Sequence, residues 1–287
     1  MTNPSIHSFH HKDTGTWSYV IADPATRVAA IIDPVLDYDA KSGRTSTVSV
    51  QQLINTVLAN TYRLEWILET HAHADHISAA PFIKKNLGGH IAIGRGITQV
   101  QKVFKPIFNL GDDFATDGSQ FDHLFDNNEA FSIGNIEARV IPTPGHTNDS
   151  VSYQIGNTLF VGDSLFMPDG GSARCDFPGG DAAVLFHSIQ RLFSFPDNTR
   201  MFVCHDYSPG GREPRCETTV AEQKQNNIHV GNAVSENDFI AMRKARDATL
   251  GMPALIIPSV QVNITAGEFP APDNNGIVYL KTPLNTL

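Results

Sequence analysis

Only three cysteines occur in 287 residues, and none stands in a C-x-x-C pair. So few, and an odd number, exclude a disulfide framework and point to a reducing compartment. Lysine and arginine number 21 against 30 acidic residues, giving a formal charge of −9, and they nowhere form a basic run. Phosphate and anionic-lipid contacts need clustered cations, so neither nucleic acid nor a membrane surface is expected as a partner. No apolar run approaches the roughly 20 residues of a membrane span. The first ten residues lack both the cationic start and the apolar stretch of a secretory signal. Repeats and low-complexity linkers are also missing. What remains is an expected cytoplasmic protein of ordinary globular balance, 41% hydrophobic and 18% charged, with material for a two-layer core.

Against that background one stretch stands out. Glu69-Thr70-His71-Ala72-His73-Ala74-Asp75-His76 sets three histidines and a carboxylate within six consecutive residues. The apolar residues 64–68 before it read as a buried strand. His71 and His73, two apart, can point to one side of an extended turn. Asp75 and His76, adjacent, have to turn toward a second position. Neutral imidazole with carboxylate suits zinc, iron or manganese. A His-rich surface loop is the plain alternative, and the rest of the chain decides between them.

Residues 16–22 and 27–32 read as a hairpin across the turn 23–26. Asp33 before Pro34 reads as a turn residue, although it also stands just past a strand end. Val50, Leu53, Ile54, Val57 and Leu58 fall at helical spacing. Helices are also expected over 77–87, over 97–104, and over 181–195 with Asp181 as cap. Short strands are expected over 90–93, 121–125, 130–133 and 135–141, and a hairpin pairs 151–155 with 159–161. Pro142-Thr143-Pro144-Gly145 makes a stiff loop that carries His146. Asp163 stands just past the 159–161 strand, and His205 just past a strand over 201–204. Polar helices over 214–226 and 235–249 are placed outside the core. His7, His10, His11, His90, His123, His187 and His229 read as structural or surface residues. Strands come in two batches, each followed by helices, which predicts an α/β protein of the α+β kind with two sheets face to face and helices outside. The site elements gather at one end of it, where loops converge. Residues 1–250 are expected to form one domain. Residues 251–287, rich in proline from Pro253 on, are expected to be an extended tail packed on it, too short to fold as a further domain.

The ordered set His71-x-His73-x-Asp75-His76, then His146 75 residues after His71, Asp163 and His205, resembles the ligand pattern of the metallo-β-lactamase superfamily. The resemblance covers residues 10 to 230 and implies an αββα sandwich with metals at one edge. Within that superfamily the chain most resembles the persulfide (sulfur) dioxygenases, and more closely their bacterial β-lactamase-like hydrolase branch. The residues that carry this likeness are Ala22-Asp23-Pro24-Ala25-Thr26-Arg27, the 69–76 stretch, residues 86–94, Arg174-Cys175-Asp176-Phe177 and His205-Asp206-Tyr207. It implies one Fe(II) per chain, held by His71, His146 and Asp163 as the catalytic set, with zinc as the alternative metal. His73, Asp75, His76 and His205 match the second site of dinuclear relatives such as glyoxalase II.

Two jobs suit such a centre. One is oxidation of glutathione persulfide by O2 to sulfite and glutathione. The other is hydrolysis of hydroxyacylglutathione by a zinc pair, and a persulfide sensor or carrier without turnover is a third reading. Glutathione brings two carboxylates, so donors are expected from Tyr207, Arg174, Arg212 and Arg215. The resemblance gives Tyr207 a substrate contact and leaves Arg174 either bracing Asp176 or meeting substrate. Cys175 and Cys204 lie beside site motifs but read as structural thiols, because a buried thiol is inert. A homodimer is the expected assembly.

Overall fold

The computed structural model describes residues 3–286. In chain order the first half contains β1 (Ser5–His11), β2 (Thr16–Ala22), β3 (Val28–Ile32), β4 (Val35–Asp39), β5 (Arg44–Ser46), α1 (Val48–Ala59) and β6 (Arg63–Leu68). It continues with β7 (Ile77–Ser78), α2 (Ala80–Leu87), β8 (His90–Gly94), α3 (Ile97–Ile107) and β9 (His123–Phe125). The second half contains β10 (Ala130–Ile133), β11 (Ile136–Pro142), β12 (Val151–Ile155), β13 (Thr158–Phe160), α4 (Ala182–Phe193), β14 (Arg200–Phe202), β15 (Glu217–Thr219), α5 (Val220–Asn226), α6 (Glu236–Asp247) and α7 (Ile256–Asn263).

Among the described residues the strands form two six-stranded sheets, ordered β1-β2-β3-β6-β8-β9 and β10-β11-β12-β13-β14-β15, beside a small β5-β4-β7 sheet. β3, β6, β8 and β9 run parallel. Strands covered on both faces read as near-continuous apolar runs, and Val-Ala-Ala-Ile-Ile of β3 is buried throughout. Tyr19, Ile32, Leu68 and Phe125 of the first sheet meet Val140, Tyr153, Phe160 and Phe202 of the second in one buried layer. α1, α2, α3 and α7 cover the outer face of the first sheet, and α4 to α6 that of the second. This is the αββα sandwich expected from the sequence. Val50, Leu53, Ile54 and Val57 of α1 are buried at the expected spacing, and each such side chain contributes about 2 kcal/mol on leaving water. Asp181 caps α4 by accepting from Val184 N–H.

Four local expectations are corrected. Residues 77–78 form a strand that pairs with β4, so the helix after the histidine cluster starts at Ala80. Residues 217–219 pair with β14 rather than opening a helix, which confines α5 to Val220–Asn226. α6 is not outside the core, because Phe239 is buried against Phe186 and Arg243 is buried beside Asp247. The tail is not simply extended, since α7 packs against β7, burying Ile256, Val260 and Val262. Asn263 at the end of α7 donates to the carbonyls of His73 and His76, both at 2.8 Å, and accepts from Ser78 N–H at 2.9 Å. A polar side chain 190 residues along the sequence thereby fixes the backbone of the histidine loop. Among the described residues, no helix is long and apolar enough to cross a membrane.

Candidate metal centre

Five strand ends meet at one edge of the sandwich. β6 runs into residues 69–76, β3 into Asp33, the β11–β12 loop carries His146, β13 leads to Asp163 and β14 to His205. Thr16 pairs with His205 across the two sheets, and Trp17 N–H donates to the carbonyl of Cys204 at 2.7 Å. The loop after β13 needs glycine. Gly162 has φ +52°, and a Cβ there would lie 2.9 Å from Thr70.

Four overlapping groups of donors result, two of them through Cys204 (with Asp33 and His73, and with Asp163 and His205), and the other two share no residue with each other. His71, His146 and Asp163 are buried, and each offers a ligand atom within 4.8 Å of the others. His73, Asp75, His76 and His205 form a second group by the same measure. Asp163 faces both: Oδ2 is 3.6 Å from His146 Nε2 and Oδ1 is 3.5 Å from His205 Nε2. Every metal-ligand residue expected from the sequence is thus brought together.

The protein fixes one nitrogen on four of the five rings. Thr70 donates its hydroxyl to Asp33 Oδ2 at 2.9 Å, so its oxygen is left to accept from His71 Nδ1–H at 3.0 Å. His146 Nδ1–H donates to the carbonyl of Arg174 at 2.7 Å. His73 Nε2–H donates to Asp33 Oδ1 at 3.0 Å, and His76 Nδ1–H to Asp75 Oδ2 at 3.1 Å. The opposite nitrogens of three of them, His71 Nε2, His73 Nδ1 and His76 Nε2, are buried without a hydrogen-bond partner, as are Asp163 Oδ1 and both nitrogens of His205. Orphaned buried donors and acceptors are costly. A ring held through one nitrogen, with the other bare toward a shared point, is how metal-ligating histidines are built. The residues therefore fit a bound metal ion.

The electrostatics agree. Burial, with the neighbouring imidazoles of His73 and His146, pushes His71 well below its ordinary value. Burial and His73 bring His76 down to about 4. Both rings are neutral at pH 7, as a ligand must be. Burial alone would lower His73 as well, but the Asp33 and Glu69 carboxylates outweigh it and raise its basicity.

Asp33 is therefore not merely a turn residue. It is buried, holds φ +47°, and accepts from Thr70 N–H at 2.7 Å, from the Thr70 hydroxyl and from His73. Asp149 and Glu69 were missed as well. Asp149 accepts from Ala72 N–H at 2.7 Å, and buried Glu69 lies 3.6 Å from His73 Nε2. A carboxylate just past a strand end was the available signal for Asp33, but the proline after it favoured a turn.

A cavity of about 450 Å³ opens on His146, Asp163 and Asp75, with Phe166, Phe177, Leu250 and Pro253 in its wall. Tyr207 and Arg174 line it as expected. Arg174 braces rather than reaches: its guanidinium grips Asp176 at 2.5 and 2.6 Å and donates to the carbonyl of Gly251. Arg212 and Arg215 are not in the lining, contrary to expectation. Arg212 is committed to Asp169 and Asp206, and Arg215 lies 3.9 Å from Asp169.

The sequence model of the Metallo-beta-lactamase superfamily matches residues 11–205. The chain belongs to that superfamily. It is 51% identical to a beta-lactamase hydrolase-like protein of Agrobacterium fabrum, over 99% of this chain and 65% of that one. It is 49% identical to glyoxylase B2 of Dictyostelium discoideum, over 98% and 97%. The structure of ETHE1 from Myxococcus xanthus superposes with a TM-score of 0.73 at 29% identity, covering 92% of this chain and all of that one. Human mitochondrial persulfide dioxygenase ETHE1 is 27% identical over 67% of this chain and 64% of its own.

All three thiols are free, and Cys175 and Cys204 are buried. Burial and the nearby Asp247 push the Cys175 thiol up to about 12, so it is not a nucleophile at neutral pH. Cys175→Ala is expected to keep wild-type turnover in an oxygen-uptake or thioester assay, and loss of most activity would contradict the structural assignment.

Proposed function

We propose that the chain is a non-haem iron persulfide dioxygenase with His71, His146 and Asp163 as its metal ligands. The observation that carries this reading is the separation of the donors into a two-histidine, one-carboxylate set and a second set that takes His73 with it. Such a triad with open positions suits ferrous oxygenases. The likeness to ETHE1 over nearly the whole chain supports it.

The reaction is glutathione persulfide plus O2 and water giving glutathione, sulfite and two protons. The terminal sulfur gives up four electrons to O2. A ferrous ion held by the triad would supply the redox chemistry that couples the two. The chain's own part is to hold and shield. Phe166, Phe177 and Leu250 give the cavity beside the triad an apolar wall that disfavours water there. Phe177 meets the His146 ring edge to face at 5.3 Å, so the wall also fixes a ligand. Tyr207 stacks on His205 at 5.6 Å and stands at the mouth, placed to meet the substrate.

The second reading, a hydroxyacylglutathione hydrolase, is favoured by the bare nitrogens of His73, His76 and His205 and by the glyoxylase B2 likeness. A zinc pair would supply hydroxide near neutral pH. Anaerobic loading with ferrous iron, followed by oxygen uptake with glutathione persulfide, tests the proposal. Brisk uptake and sulfite release are expected. Lactoylglutathione hydrolysis without oxygen uptake would sink it, and binding without any turnover would leave a sensor or carrier.

A further inference from the structure

Three arginines line the cavity over the metal centre, and two of them have no charge to spare. Arg174 is neutralised by Asp176 and also held by the carbonyl of Gly251. Arg243 is buried, donating to Asp247 Oδ1 and to the carbonyl of Ser172, each at 2.9 Å. Arg246, in the last turn of α6, lines the same cavity and is exposed. Its guanidinium forms no ion pair or hydrogen bond among the described residues, whereas Arg174 and Arg243 each hold a carboxylate. A basic residue in a last helical turn commonly serves the helix dipole. That role requires no cavity beside it, and it leaves the charge free for a ligand.

The cavity is therefore polarised along its depth. Its metal-centre end carries Asp163 and Asp75 beside His146, which is an end for a cation. Its open end carries one unneutralised cation. Phe166, Phe177 and Leu250 add an apolar wall, and the other two arginines of the lining, Arg174 and Arg243, are already paired with carboxylates. A volume of about 450 Å³ lies within the range that holds a small peptide-sized ligand.

We propose that Arg246 selects the substrate by pairing with a single carboxylate at the end of the molecule remote from its reacting sulfur. The cavity then takes acidic thiol derivatives in preference to uncharged ones. Of the two carboxylates of glutathione, one meets Arg246 and the other stays in water at the mouth. This rests on the functional reading above for the identity of the sulfur substrate, but not for the anion contact itself.

The test uses the iron-loaded full chain as wild type, Arg246→Ala and Arg246→Lys. Oxygen uptake is measured with glutathione persulfide and with the persulfide of 2-mercaptoethanol, which carries no carboxylate. A lost hydrogen bond to a charged group lowers the preference for the acidic substrate, as a ratio of kcat/KM values, by about tenfold in Arg246→Ala. The loss is expected mainly in KM, and Arg246→Lys should restore most of it. A ratio that does not move, or a lysine variant no better than alanine, overturns the assignment. Calorimetric titration with glutathione gives a readout free of turnover. Weaker binding to Arg246→Ala than to wild type supports the contact, and equal binding overturns it. If the wild type consumes no oxygen with either persulfide, the functional reading fails while the titration still decides on Arg246.

Discussion

Asp163→Ala is expected to empty the metal centre and lower turnover by at least about a hundredfold, the scale already reached when partners outside the ligand set are removed. The reason is its position. Its two oxygens face His146 at 3.6 Å and His205 at 3.5 Å, so its carboxylate stands between the triad and the second donor group. Alanine leaves the triad with two imidazoles and no carboxylate, so the negative charge that offsets a divalent cation there is gone. Asp163→Asn keeps the shape and one acceptor oxygen but not the charge, and should retain little more metal than alanine. Metal per chain, measured by elemental analysis after desalting, checks this beside turnover. Unchanged metal content in Asp163→Ala would mean that the ion sits elsewhere.

The second large effect is expected at Asp33. Its carboxylate accepts from Thr70 N–H, from the Thr70 hydroxyl and from His73, and it is buried. Asp33→Ala leaves those donors unpaired in the interior. Breaking one side of a buried pair costs about 3 kcal/mol or more, which for a chain of this size lowers Tm by about 10 °C. The variant also frees the His73 ring and lets Thr70 release His71, so metal affinity should fall by roughly 10–100-fold. The pH dependence follows from the direction of its shift. Burial opposes ionisation, but His73 and the Thr70 N–H hold Asp33 below the ordinary carboxylate range. Its contribution is therefore full at neutral pH and is lost only as pH falls through that depressed value, below about 4. Thermal unfolding of the two proteins at pH 7 and at pH 3 measures it, with the gap between them narrowing only at the lower pH. Equal Tm values at pH 7 would return Asp33 to the role of a plain turn residue.

The metal ligands were legible because they come as a local cluster and because the remaining ones stand just past strand ends. His146, Asp163 and His205 could be ordered by that rule without knowledge of the fold. The residues that hold the ligands were less visible. Asp33 and Asp149 act on backbone N–H groups 37 and 77 residues away, and Asn263 acts across 190. No local spacing encodes such pairings. Arg212 and Arg215 fall outside the cavity lining for a related reason. Arg212 stands close to the site in sequence, yet the acidic residues that neutralise it became visible only in three dimensions. Arg246 lies on the helix expected over 235–249, and nothing in the sequence sets it apart from the other charges of that helix. Likewise α7 lacks a polar face, since Ile256, Val260 and Val262 with Gln261 and Asn263 are all buried, so its pattern resembled no amphipathic helix.

Whether the second donor group holds a metal separates the oxygenase from the thioesterase. His73 and His76 each spend one nitrogen on a carboxylate, and Asp75 also accepts from the Thr16 hydroxyl at 3.2 Å, whereas the two rings of the triad are held by the Thr70 hydroxyl and the Arg174 carbonyl. Elemental analysis of protein produced without added zinc decides it. About one iron per chain is predicted, lost in Asp163→Ala. Close to two zinc ions per chain, or a mixed pair, would contradict the oxygenase and leave the thioesterase standing.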